Sequence, residues 1–272
     1  MTFLFAIVAI GLTAFFLRQW ISDVTLSKND LIELSSRLSD KKLPASEDGI
    51  SLPYRLYIPK NYKKEQSFPL LVYLHGANGR GTDNLQHLDY LLARMTSSEL
   101  QKSLSFFVVA PQCPPGEQWA DIDLGPPPYS NYDFSKTPES SRIRSIFKIL
   151  NIVAGEFNID EKRIYIMGFS MGASGTWDTI TRYPDRFAAA VTMSGVSDPK
   201  SVERIVEIPV WAFHGKFDRV SPIGNTLRTV NALTNAGGNV TLTQLYWGHG
   251  ISKMVIDNLD LWRWLFKQKR AS

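Results

Sequence analysis

Ile164-Tyr165-Ile166-Met167-Gly168-Phe169-Ser170-Met171-Gly172 is the stretch whose reading decides the architecture. Four apolar residues run unbroken into a G-x-S-x-G element, and Met171 to Arg182 continues with helical spacing. An uninterrupted apolar run suits a strand of a parallel sheet covered on both faces. A strand that turns sharply into a helix holds the intervening serine in a strained, exposed position, and the flanking glycines let the backbone pass close without a Cβ clash. The N–H of Met171 then points into the space where an oxyanion would form. A lone G-x-S-x-G arises often by chance. The strand and helix on either side make this one specific.

Outward from that element the chain alternates. Tyr54–Ile58, Leu70–Leu74, Phe106–Ala110, Arg163–Met167, Ala188–Met193, Val210–Phe213 and Val240–Tyr246 read as strands. Asp83–Met95, Ser140–Phe157, Met171–Arg182, Ile223–Ala236 and Met254–Phe266 read as helices between them. Such alternation implies right-handed βαβ units and an α/β fold with a mostly parallel, doubly wound sheet. Cys113–Thr137 breaks the rhythm: it is rich in proline and aromatic residues and has no periodicity. Loops of that length in a compact domain are often functional.

A serine hydroxyl is a poor nucleophile without a base. The chain has four histidines, His75, His87, His214 and His249. With a serine at a strand–helix elbow, the acid and the histidine follow it in chain order, which leaves His214 and His249. His249 lies in a loop beyond the last predicted strand. His214 ends the strand Val210–Phe213, and Asp218 follows in the loop after it, where an α/β sheet presents its working groups. The assignment is therefore Ser170 as nucleophile, His249 as base and Asp218 as the orienting acid, with His214 structural beneath the acid loop. Asp198 is the second choice of acid, and Asp257 lies beyond His249 and breaks the order. Leu74-His75-Gly76-Ala77-Asn78-Gly79 is the candidate oxyanion loop. The N–H of Ala77 is expected to act with that of Met171, and His75 to brace the loop. Among the aromatic residues of the long loop, Trp119 is the candidate substrate-binding side chain. The alternative, held equally, is that these rings pack on one another to stabilise the loop.

Several elements in order carry a family resemblance: Leu74-His75-Gly76 with Arg80-Gly81-Thr82-Asp83-Asn84, Val109-Ala110-Pro111-Gln112-Cys113-Pro114, Gly168 to Gly172 with Gly175-Thr176-Trp177-Asp178, Tyr183-Pro184-Asp185-Arg186-Phe187, Pro209 to Gly215 and Gly248-His249. The chain resembles carboxylesterase- and phospholipase-like α/β hydrolases, akin to the feruloyl-esterase, polyhydroxybutyrate-depolymerase-like and dienelactone-hydrolase-like groups and to the prolyl oligopeptidase catalytic domain. The resemblance covers roughly residue 49 to the C-terminus. It implies the α/β-hydrolase fold and Ser170, Asp218 and His249 as the triad, and it does not fix the substrate; the expectation is a serine esterase acting on a small-molecule or polymer-linked ester through an acyl-enzyme, with no cofactor. A serine peptidase is the runner-up; against it, the chain has no room for the large N-terminal domain that restricts access in prolyl oligopeptidases. A catalytically silent, membrane-tethered binding protein is the third reading.

The remaining sequence bounds the rest. The 272 residues suffice for one α/β domain with a full core. The net charge of +4 is mild, and the charges are scattered. The basic cluster Lys267, Lys269, Arg270 reads as a solvated tail, so no nucleic-acid partner is expected. Cys113, the one cysteine, cannot close an intrachain disulfide, and no spacing of ligand residues points to a metal. Phe3 to Leu17 is uncharged and almost wholly apolar. At about 1.5 Å per residue it is short for a hydrocarbon core of about 30 Å, though Trp20 and Ile21 extend it. The expectation is an N-terminal hydrophobic helix over 1–21 acting as a membrane anchor. A signal segment is the alternative, which would make the protein secreted or periplasmic. Arg18 and Lys28 on the C-terminal flank favour a cytoplasmic catalytic domain. Residues 22–48 read as a linker with one short helix over Asp30–Leu38, and 49–272 as the catalytic domain.

Overall fold

In the computed structural model the described residues are 25–45, 51–123, 125, 127–129 and 132–271. The expected anchor or signal segment, 1–21, lies outside them. Among the described residues no helix is long and apolar enough to cross a membrane.

Eight strands form one sheet: β1 (Ser39–Lys42), β2 (Pro53–Tyr57), β3 (Phe68–Leu74), β4 (Phe107–Pro111), β5 (Ile159–Phe169), β6 (Ala189–Met193), β7 (Val210–Gly215) and β8 (Val240–Leu245). Their spatial order is β1-β2-β4-β3-β5-β6-β7-β8. Only β2 runs against its neighbours, and β4 to β8 are joined by parallel ladders. The chain leaves β3 toward one edge to make β4, then returns to the other flank of β3 to make β5. That reversal opens a crevice beyond the carboxyl ends of β3 and β5, where Leu74 pairs with Gly168.

Alternation along the central strands explains the two-sided core. Leu70, Val72, Leu74, Ile164 and Ile166 face one apolar cluster, while Leu71, Tyr73, Tyr165 and Met167 face the other. The first is covered by α4 (Ser141–Glu156), α5 (Met171–Arg182) and α6 (Gly224–Asn235), through Ile146, Trp177, Ile180 and Leu233. The second is covered by α1 (Lys28–Arg37), α2 (Tyr90–Met95), α3 (Ser98–Leu104), α7 (Ser252–Ile256) and α8 (Leu259–Lys267), through Leu34, Leu92, Leu100, Val255 and Trp262.

The expected strands are all present, and their ends shift by a few residues. Three other expectations are corrected. The stretch read as a linker, 22–48, contributes α1 and the edge strand β1 to the catalytic body, burying Leu34, Leu38 and Leu43. β1 is Ser-Asp-Lys-Lys, whose contribution is backbone pairing with β2, so no apolar pattern announces it. The helix expected over Asp83–Met95 starts only at Tyr90. Before it, Asn84 takes a left-handed φ of 56° and buries its amide against Tyr54 O, Lys41 O and Asp40. The helix expected over Met254–Phe266 is two, and Asn258 caps the second through the N–H of Asp260.

Gly172 fixes how closely α5 sits on the sheet. A Cβ there would overlap the carbonyl oxygen of Leu74 at the end of β3, so the helix could approach with no other residue. Gly172→Ala is expected to cost at least about 2 kcal/mol in urea unfolding, because backbone rather than a flexible side chain must give way. A midpoint equal to wild type would show that the elbow and β3 are not held at this distance.

Candidate active site

β5 ends at Phe169 and α5 begins at Met171, so one residue makes the turn. That residue, Ser170, has φ 54° and ψ −117°, a region costly for a side chain bearing a Cβ. The position is pinned from both sides: the N–H of Ser170 donates to Met193 O at 2.8 Å, and its carbonyl accepts the N–H groups of Ala173 and Ser174. The N–H of Met171, in the first turn of α5, has no intrahelical acceptor.

The loops after β7 and β8 bring the expected partners to Ser170. The Nε2 of His249 is 2.8 Å from Ser170 Oγ, and its Nδ1 is 2.7 Å from Asp218 Oδ2. A carboxylate can only accept, so Nδ1 carries the proton and Nε2 presents its lone pair to the serine hydroxyl, which donates. The ring of Phe169 lies 5.3 Å from the imidazole. The two loops pass backbone against backbone, since a Cβ on Gly215 would overlap the carbonyl of Gly248.

Asp218 has a fully buried side chain. Burial alone would raise its pKa. The His214 and His249 hydrogen bonds, the electrostatic attraction of the His249 ring and the N–H of Ser221 outweigh that, and the carboxyl is held well below the usual carboxylate range. Its Oδ1 accepts the N–H groups of Val220 and Ser221, each at 2.9 Å. His214, also fully buried, lies with Nε2 2.7 Å from Ser221 O and 3.2 Å from Asp218 Oδ2, while its Nδ1 accepts from the Thr226 hydroxyl at 2.8 Å. It sits beneath the acid loop as the sequence leads one to expect. The rival acids are engaged elsewhere. Asp198 accepts the N–H groups of Phe134 and Lys200, and Asp257 accepts the Tyr90 hydroxyl and pairs with Lys253.

Across the crevice, the loop after β3 is braced by His75. Its Nδ1–H donates to Gly76 O at 2.6 Å, and its Nε2 accepts the N–H of Cys113 at 3.0 Å. Burial, with His87 5.7 Å away ring to ring, lowers its pKa to about 3. A cleft of about 320 Å³ is bordered by Ala77, Ser170 and Met171 together. Serines 174, 194 and 221 make part of its wall, and Arg80 with Gln118, Ile122, Asp123 and Tyr129 of the long loop borders it as well.

Trp119 is not in that wall, which corrects its assignment to substrate binding. It is fully buried. Its indole N–H donates to His75 O at 3.0 Å, its ring meets His75 edge-on at 5.1 Å, and its Cβ lies against Gly175 of α5. A large flat ring with one donor suits this wedge between the β3 loop and α5. Gln118 and Ile122, not the tryptophan, reach the cleft. Aromatic content alone could not distinguish them, whereas Gly175 one turn into α5 marks where a bulky group must fit. Among the described residues, no group of three or more His, Cys, Asp or Glu side chains is placed to hold a metal ion.

Comparison with known proteins agrees with this geometry. Residues 49–263 match the model of a family described as "Putative esterase". The bifunctional acetylxylan esterase/xylanase XynS20E of Neocallimastix patriciarum is 26% identical over 174 residues, which is 64% of this chain and 22% of that protein. A crystal structure of a thermostable esterase is 33% identical with a TM-score of 0.78, covering 88% of this chain and 64% of that one. An acylaminoacyl peptidase of Pyrococcus horikoshii shares the fold at 16% identity and a TM-score of 0.61, covering 90% of this chain and 44% of that one. The chain thus spans about a fifth of the acetylxylan esterase/xylanase.

The buried histidines of the β3 side set a measurable pH dependence. Burial lowers His87 to about 4, as it lowers His75 to about 3. The unfolded chain takes up these protons near pH 6.5, so the stability they contribute is complete above that pH and is lost as the pH falls toward 4 and 3. Each histidine adds up to about 1.4 kcal/mol per pH unit of slope. His87→Gln is expected to remove one such increment from the urea-unfolding free energy between pH 6 and 4. A slope equal to wild type would contradict a neutral, buried His87.

Proposed function

The chain belongs to this esterase family, and from that premise we propose that it is a serine hydrolase cleaving carboxylic esters through an acyl-enzyme. The observation that carries the reading is the unbroken hydrogen-bonded series from Ser170 Oγ through His249 to the buried Asp218, opening on a cleft shared with Ala77 and Met171.

In this reading Ser170 Oγ attacks the ester carbonyl carbon while its proton passes to His249 Nε2. The negative charge that develops on the carbonyl oxygen is met by the N–H groups of Met171 and Ala77. Asp218, ionised throughout, stabilises the imidazolium and keeps the ring oriented. The imidazolium returns its proton to the departing alkoxide, and the acyl group stays on Ser170. A water then gives a proton to Nε2 as it attacks the acyl carbon, the C–Oγ bond breaks, the imidazolium returns the proton to Ser170 Oγ, and the carboxylic acid leaves. The hydroxyl-bearing wall of Ser174, Ser194 and Ser221 offers a long acyl chain little apolar surface, which favours a short acyl group, and an ester borne on a polymer is compatible with an open cleft.

The reading predicts turnover of p-nitrophenyl acetate and butyrate with kcat/KM falling for longer chains. Ser170→Ala should lower kcat by about a million-fold and Asp218→Asn by about ten-thousand-fold, with Asp198→Asn close to wild type. A Ser170→Ala protein that keeps a tenth of the wild-type rate would overturn the assignment of the nucleophile.

A further inference from the structure

Arg80 borders the same cleft as Ser170 and Ala77, and among the described residues no carboxylate forms an ion pair with it. It sits at the end of the short turn Ala77–Gly79 that also presents Ala77. Its Nε donates to the backbone carbonyl of Glu117 at 2.5 Å, which fixes the guanidinium.

The carboxylates within reach in sequence are committed elsewhere. The side chain of Glu117 turns away to Arg142, 2.9 Å from its Nη1, and Asp121 pairs with Arg142 as well. Asp83 accepts the N–H groups of Leu85 and Gln86 and the amide of Gln112. Asp123, the one acid bordering the cleft, is exposed to water, and its Oδ1 accepts the N–H of Gly125. Cys113, which meets Arg80 through its thiol, is uncharged: burial pushes that thiol up to about 12. One loop therefore gives Arg142 two carboxylates and Arg80 none.

We propose that Arg80 is an anion subsite of the cleft, and that the preferred ester carries a carboxylate which docks on its guanidinium. This rests on the reading of Ser170 as the nucleophile. A planar guanidinium held at Nε offers two parallel N–H donors that match the two oxygens of a carboxylate. Bordering the cleft that Ala77 and Ser170 also line, it fixes where the rest of the substrate lies relative to the reacting carbonyl. Because Arg80 is partly exposed, solvent weakens the interaction, and the effect expected is of order tenfold rather than a thousandfold.

The test compares matched esters on the intact chain. On the acyl side, p-nitrophenyl hemiglutarate is set against p-nitrophenyl pentanoate, each corrected for hydrolysis without enzyme. On the alcohol side, 4-acetoxybenzoate is set against phenyl acetate. In at least one pair the anionic ester should have the higher kcat/KM by about tenfold. That ratio should fall to about one in Arg80→Gln and be partly restored in Arg80→Lys. Because the readout is a ratio, a loss of active protein cancels. Neutral esters turned over with no anionic preference in either pair, or a preference that survives Arg80→Gln, would overturn the role of Arg80 alone. No turnover of any of the four esters would overturn the hydrolase reading with it.

Discussion

The rest of the molecule is arranged around the backbone of Ser170. A serine at φ 54° between a strand and a helix is costly, on the order of 1–3 kcal/mol, and is kept only where the surroundings over-determine it. Here they do. β5 is flanked on both sides by parallel strands, α5 is pressed on β3 where Gly172 permits no side chain, and Met193 O holds the serine N–H. A turn so constrained lifts Oγ clear of the sheet and aims the first N–H groups of α5 into the crevice. The reversal of strand order at β3 supplies the opposite wall, so the position of the site follows from topology before any particular side chain is considered.

The same logic sorts the buried polar groups. The four histidines work as two pairs with unlike neighbours. His214 and His249 both meet Asp218, yet only His249 also reaches a hydroxyl open to the cleft, while His214 spends its second nitrogen on Thr226. His75 and His87 lie under the β3 loop and hold backbone groups of Gly76, Cys113 and Ala110. The long loop is stitched down at several points. Trp119 wedges against His75, the N–H of Tyr129 donates to Val220 O in the acid loop, and the Tyr132 hydroxyl donates to Asp178 of α5. Each stitch joins the loop to an element that carries a candidate site residue, so the cleft wall and the Ser170–His249–Asp218 series share one support.

Much of this was legible in the sequence. The unbroken apolar runs marked seven strands because parallel strands buried on both faces have no polar side to hide them. Ser170, Asp218 and His249 were legible because chain order and the position after a strand restrict the choice among few candidates. What escaped was governed by backbone or by packing rather than by pattern. β1 is polar on both faces. The left-handed Asn84 ends a helical pattern that its neighbours support. Trp119 looks like any other loop aromatic until the wedge beside Gly175 is seen. Arg80 stood in view as one letter of a motif, and only the pairing of Glu117 and Asp121 with Arg142 shows that its charge is left over.

The central claim is that Ser170 is a nucleophile made reactive by His249 and Asp218. The most direct measurement is labelling of the native chain with a fluorophosphonate, which reacts with activated serines, followed by mass spectrometry of the adduct. The account predicts one phosphonyl group on Ser170 in wild type, and none in Ser170→Ala at the same concentration and time. A wild-type chain that turns over esters yet takes no label, or carries it on another residue, would contradict it.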